Sequence, residues 1–588
     1  MRGRLVLDKK HYFILLIIFL SVICGYINTT YVKYINVRIY FLDSAQNKIE
    51  PLNNNNIRVI NSYNNEFHSK YKNILISPEN SKEYIYRMEV KSKNNEYKNL
   101  NTIYEEYRND LMKQGAFFIS NNNFINEDMT NIKIKNIVFN LIMGIIFIFA
   151  VSFFENVIRN TRYMAIKEKY LNIILSLLYF ISSMIKVSVV LTAILISIGI
   201  IANIIKRNID KKQQLLLLLK VSIIFKLVAI IGFNLINYIK YRTLYNYTQP
   251  DELFYYSTAD YLYQRILNLS HLRILELTNG NRQFGYNLFL GLLKVLNNGD
   301  ILISAKVVNL LIGLVFIFIM YEFSYKLLRE HKVAIMTSYM MAILLTFSLF
   351  SSIALRDVLL SLLICLLLKE IIIENDKYTI KKLVRIIVIS IALCSLRIFV
   401  FMIIAILLAL YKTVQYGRKR SISSVFTALC LVSLAFIFII LASRFYRVSM
   451  FDFMYPYIKR VGLLGYIKGL VLSSVNLDFI VNIGGTIYTS PKAVILRMLY
   501  PDTLFLIITF PFMILGFFSL FRRVKDISVI VVIMFVSLIT IYTIQYGGWF
   551  LRIQLQIFPY QYMVISLGIF EVFKNVRFKF IDRFKSYM

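Results

Sequence analysis

Apolar runs long enough to cross a membrane recur from Tyr12 to Phe573, separated by short polar stretches. A helix needs about 20 mostly apolar residues to cross the hydrocarbon layer. The runs predict spans at Tyr12–Tyr26, Ile137–Phe154, Leu215–Ile239, Ile301–Tyr321, Ala334–Phe350 and Val358–Ile373. Further spans are predicted after Arg385, at Phe426–Leu441, Leu504–Phe521 and Val529–Ile544, and in a last run ending at "KNVRFKFIDRFK". Leu171–Asn203 is too long for one comfortable crossing, and two tightly turned spans are expected there. The run after Arg385 is interrupted by Arg397 in "CSLRIF". The expectation is a mainly α polytopic membrane protein of about fourteen transmembrane helices.

Between Asn28 and Asn131 the pattern changes. "INVRIYFLD" and "EYIYRMEVKSK" alternate apolar and polar positions with the period of a strand. "NLNTIYEEYRNDLMKQ", residues 99–114, has helical periodicity. A small extracytoplasmic α/β domain is expected. The resulting division is an N-terminal membrane anchor at 1–28, the α/β domain at 29–133, accessory helices at 134–212 and a main membrane domain at 213–588.

Charge sets the orientation. Lys and Arg cluster in the loops at "KRNIDKK", "KLLREHK", "YKTVQYGRKR" and "RRVKD". Such clusters stay on the cytoplasmic side, next to anionic lipid. Both termini are therefore expected in the cytoplasm. The formal net charge of +34 would otherwise suggest nucleic acid. No soluble basic segment is large enough for that, and nucleic acid is excluded as a partner. Aromatics make up 15% of the chain and gather near span ends, where they suit the headgroup interface. Cys24, Cys365, Cys394 and Cys430 lie in separate apolar runs, with neither disulfide nor zinc spacing. His11, His68, His271 and His331 are scattered. The Ile, Lys and Asn content fits an AT-rich bacterial genome, so a bacterial plasma membrane is the expected location.

The polar residues predicted outside carry the candidate chemistry. Asp251, Glu252 and Asp260 fall in the first large loop of the main block. Arg356 and Asp357 head a span, Arg397 separates two apolar runs, and Arg552 precedes the last span. Charges at such places cost free energy unless they are paired or wet, about 2.5–3.5 kcal/mol at mid-bilayer, and so are functional candidates. Each has a plain alternative. Asp251 and Glu252 fit an exposed turn after Pro250, and Arg356 with Asp357 fits a helix start. Arg397 fits a snorkelling side chain and Arg552 a headgroup anchor. Together, a carboxylate base and arginines suited to forked bonds with phosphate describe sugar transfer from a lipid-linked donor.

"PDELFYYSTADYL", "QFGYNLFLGLL", "SSIALRDVLLSLLICLLL", "SLRIF" and "WFLRIQLQIFPYQYMVISLG" resemble membrane glycosyltransferases of the C-type fold (GT-C). These include the protein mannosyltransferases and bacterial enzymes that use polyprenyl-phosphate sugars. The likeness covers roughly Leu215 to Phe573. It implies an extracytoplasmic site with Asp251 as catalytic base and Glu252 as its partner or a metal contact. It also implies a polyprenyl-phosphate sugar donor, a glycan or lipid acceptor, and Arg356, Arg397 and Arg552 as phosphate contacts. Asp357 would be a second acid of the site. No cofactor is required by the sequence, although two neighbouring carboxylates admit a divalent cation. The N-terminal third departs from the family pattern; its topology distantly resembles chain-length regulators of surface polysaccharide. The alternatives are an outer-leaflet polysaccharide polymerase and a non-enzymatic flippase or assembly protein.

Overall fold

The computed structural model describes residues 9–27, 31–42, 57–64, 81–92, 116–122, 129–158, 168–241, 284–297, 301–373, 379–419, 500–525 and 555–587, with isolated positions at 252, 255–256, 259, 262, 527–528, 531–534 and 538. The chain divides into two compact units, Met1–Gly144 and Ile145–Met588.

The first unit begins with α1 (Lys9–Ile27) and a sheet of β1 (Tyr31–Leu42), β2 (Ile57–Asn64), β3 (Ser81–Ser92) and β4 (Ala116–Asn122). The order is β2-β3-β1-β4, with every pair antiparallel. β1 and β3 pair without interruption from Tyr31↔Ser92 to Leu42↔Ser81. These are the two strands that alternation marks in the sequence. β2 and β4 are shorter and contain Asn, which strands disfavour, and their pattern gives little warning. The helix expected at 99–114 lies outside the described residues. α2 (Met129–Ile158) leads into the second unit. A Cβ on Gly25 would sit 2.7 Å from Ile137 Cα, so this glycine lets α1 and α2 touch backbone to backbone.

In the second unit the stretch 171–203 forms two helices, α3 (Glu168–Met184) and α4 (Ser188–Arg207). Lys186 takes the left-handed conformation between them at φ 60°. The Val187 amide bonds Ser182 O at 2.7 Å, closing the end of α3. α5 (Lys212–Tyr241), α6 (Gly285–Asn297) and α7 (Leu302–Leu328) follow. α7 is the core helix: 72% of its apolar window is buried, against 28% for α5.

The expected span at Ala334–Phe350 is broken. α8 (His331–Ile343) and α9 (Leu345–Ser351) meet at 62° across an extended Leu344. No Pro or Gly marks that break in the sequence. α10 (Arg356–Leu368) ends in a π-turn, Lys369–Ile373. α11 (Ile380–Leu396) and α12 (Ile398–Lys419) are separated at Arg397, where the apolar pattern predicted an interruption. α13 (Tyr500–Arg523) and α14 (Phe558–Tyr587) close the described chain.

Five helices among the described residues are long and apolar enough to cross a membrane, six if the bent pair counts as one span. The expected span at Phe426–Leu441 lies outside the described residues, as does most of Val529–Ile544. Several polar side chains inside the helices satisfy themselves locally. Ser176, Thr192, Thr337 and Thr509 each donate to the carbonyl four residues back, as apolar surroundings require.

Ion pairs sort the helix ends. Glu322 near the end of α7 pairs with Lys326 of the same helix, with Arg207 at the end of α4 and with Lys369 after α10, at 2.7–3.3 Å. Arg523 at the end of α13 meets Glu330 before α8 and Glu571. Many of the basic loop residues of the sequence are therefore gathered at one end of the bundle. The starts of α7, α10 and α13 lie at the opposite end.

α13 and α14 cross closely at two glycines. A Cβ on Gly516 would lie 1.9 Å from Val564 O, and one on Gly568 would lie 1.8 Å from Phe512 O. Substituting Gly568→Val should destabilise the protein by about 1–3 kcal/mol, because rigid backbone must move. Gly232 has nothing within 4 Å, and Gly232→Ala should be neutral or stabilising. Thermal unfolding of both variants in detergent checks the contrast.

Candidate functional site

Four of the seven candidate residues are described: Glu252, Arg356, Asp357 and Arg397. Asp251, Asp260 and Arg552 lie outside the described residues. The four share one end of the bundle and all are buried, at 0%, 7%, 0% and 3% exposure. Burial is the decisive fact, because an unpaired buried charge is costly.

Backbone geometry delivers them. α9 ends at Ser351, and a short non-helical strap leads into α10, with Leu355 extended just before Arg356 and Asp357 in the first turn. Asp357 thus sits at the positive end of its own helix. Arg397 is the single extended residue between α11 and α12, and its guanidinium reaches Asp357 Oδ1 at 3.7 Å. That is an ion pair longer than a hydrogen bond.

Glu252 is held twice. Its Oε1 accepts from the Ala354 amide at 3.2 Å and faces Lys306 Nζ at 3.6 Å. Lys306 also donates to Asn234 Oδ1 at 2.8 Å, bringing α5 into the network. The lysine ammonium therefore occupies the cationic position beside Glu252 that the sequence left open for a metal. Among the described residues no group of three His, Cys, Asp or Glu side chains could hold a metal ion.

The segments that carried the sequence resemblance converge here. Tyr255 meets Tyr286 of α6 edge to face at 4.9 Å, and Tyr256 donates to Leu302 O at 2.9 Å. A Cβ on Gly285 would lie 2.2 Å from Ser395 Oγ and 2.8 Å from its backbone carbon, so only glycine admits this approach. Ser361, one turn beyond Asp357, donates to Leu555 O at 3.0 Å, which brings in the segment that follows Arg552. Asn309, inside the apolar α7, donates to Phe350 O at 3.3 Å and Ile353 O at 2.5 Å, fixing the strap from below.

Arg356 differs from its neighbours. Its guanidinium lies 5.9 Å from the centre of the Tyr255 ring. It has no carboxylate within ion-pair distance among the described residues, and its buried Nε has no hydrogen-bond partner there. The described cluster holds three cations (Lys306, Arg356, Arg397) and two carboxylates (Glu252, Asp357). Arg356 is the surplus charge, and a buried guanidinium is suited to forked binding of phosphate or carboxylate.

Lys306, Asn309 and Asn234 were not among the candidates. A signal was available, since polar residues inside apolar spans are functional candidates by default. Comparison with protein-family models, curated proteins and solved structures found no match.

Lys306→Met should be strongly destabilising, by about 3–5 kcal/mol, because buried Glu252 would lose the ammonium that faces it. Adding Glu252→Gln should restore much of that loss while keeping an acceptor for Ala354. A double-mutant cycle on unfolding in detergent checks the coupling.

Proposed function

We propose that the protein is a membrane glycosyltransferase that moves a sugar from a polyprenyl-phosphate donor to an extracytoplasmic glycan or lipid. The observation that carries the reading is Arg356: a buried guanidinium without a described carboxylate partner, at the start of α10 and one residue before the Asp357 that pairs with Arg397. A phosphate leaving group at a membrane surface is an anion that fits such a place. In this reading Arg356 and Arg397 hold the donor phosphate, with Asp357 fixing Arg397. Asp251 takes the proton from the acceptor hydroxyl. Glu252, bonded to Ala354 and Lys306, ties the acidic loop to the arginine segment and is not the base. The clustered basic loops at the other end favour a cytoplasmic location for that end, hence an outward-facing site and cytoplasmic termini. The apolar runs of the full sequence put the count at about fourteen spans, in a bacterial plasma membrane. The N-terminal sheet belongs in this reading to an outer α/β domain that serves the acceptor.

Asp251→Asn should abolish transfer from a radiolabelled polyprenyl-phosphate sugar while the protein remains inserted; full activity would end the reading. Arg356→Gln should raise KM for the donor by about tenfold or more, the scale of one charge-assisted contact to phosphate.

The engagement of Glu252 favours a second reading, a polysaccharide polymerase that relies on the arginines alone. Polymer rather than single-sugar product, formed by an Asp251→Asn variant, would select it.

A further inference from the structure

The arginine segment is held by a residue far away in the chain. α9 begins after the break at Leu344 with no side chain of its own capping it. Asp502, in the first turn of α13 and 3% exposed, fills that role. The Leu345 amide donates to Asp502 Oδ1 at 3.1 Å, and the Thr346 amide donates to Oδ2. At the other end of α9, Lys226 of α5 donates to Ser351 Oγ at 2.7 Å and lies 4.6 Å from the centre of the Phe347 ring. Asn309 then takes Phe350 O and Ile353 O, and Glu252 takes the Ala354 amide. Residues 345–354 are thus fixed by side chains from four separate parts of the chain, and Arg356 follows two residues later. A cation placed this way is pre-organised, and a displacement of about 1 Å at such a group costs up to about 100-fold in binding or rate.

We infer that Asp502 is a positioning residue: by capping α9 it seats Arg356 for the anionic group of the ligand, without touching that ligand itself. This rests on the phosphate reading of Arg356. The two oxygens of Asp502 take two amides that the helix break leaves without helical partners, and a carboxylate suits the positive end of a helix. Its isostere Asn has one acceptor oxygen, so it keeps one of the two bonds. Binding should therefore fall in steps, from wild type to Asp502→Asn to Asp502→Ala.

The test uses the full-length protein in detergent, with two readouts. Amide hydrogen exchange over residues 345–356 reports the cap, and the affinity for decaprenyl phosphate, used without any sugar, reports the seat. Asp502→Ala should speed exchange there by ~10-fold or more and weaken decaprenyl phosphate by a similar factor, with Asp502→Asn intermediate in both. If the alanine variant does not fold, the asparagine variant carries the comparison. Glu571→Gln, which loosens the Arg523 pair at the other end of the α13–α14 pair, should change neither readout. Equal losses in Glu571→Gln would reduce Asp502 to a general stability residue and overturn the inference. So would unchanged exchange in the Asp502 variants. Faster exchange with unchanged affinity, while Arg356→Gln loses binding, would overturn it and leave the phosphate reading standing. Wild-type affinity in Arg356→Gln would remove the phosphate reading and this inference with it.

Discussion

The break at Leu344 frees backbone amides inside an apolar bundle, where an unbonded polar group costs several kcal/mol. That constraint organises the charged end of the second unit. Asp502 takes the amides at the start of α9, and Ser348 Oγ donates to Ala342 O, one of the carbonyls left at the end of α8. Asn309 and Glu252 serve the strap behind it. A continuous helix would need none of these residues. It would also carry Arg356 elsewhere, because the 62° bend sets where α10 begins.

The buried charges follow from the same geometry. Glu252 with Lys306 and Asp357 with Arg397 pair off at 3.6 and 3.7 Å. Both distances exceed a good hydrogen bond, so attraction across a poorly solvated gap does most of the work. Such pairs are weak sources of stability, since their desolvation offsets much of the attraction. In the proposed reading the anion of the ligand offsets the surplus charge of Arg356. At the opposite end Glu322 is shared by Arg207, Lys326 and Lys369, with Arg207 largely exposed. There the surplus cations are wet and need no ligand.

The two ends thus use the same residue types under different solvation. Carboxylates at the strap accept backbone amides and face buried cations. Glu322 and Glu571 bind long basic side chains that reach out toward water. α7 connects the two ends, with Lys306 and Asn309 near its start and Glu322 and Lys326 near its finish. It is also the most buried span among the described residues, so the polar residues it carries look for partners within the protein.

What could be read from the chain alone was whatever depends on local pattern. Apolar runs gave the helices at 302–328 and 500–523, since length and hydropathy are properties of the run itself. Alternation gave β1 and β3, and a lone charge gave the interruption at Arg397, where backbone and side chain leave the helix together. Arg356, Asp357, Arg397 and Glu252 were identified because charge in an apolar context is itself a signal. The break at Leu344 was invisible: "MMAILLTFSLFSS" contains neither Pro nor Gly, and the carboxylate that stabilises the break lies more than 150 residues later. The partners were equally hidden. Lys306 beside Glu252 and Arg397 beside Asp357 follow from helices packed side by side, and spacing along the chain does not encode that. Tertiary structure also turned Glu252 inward to Ala354 and Lys306, because only the folded chain brings an amide and an ammonium to the same carboxylate.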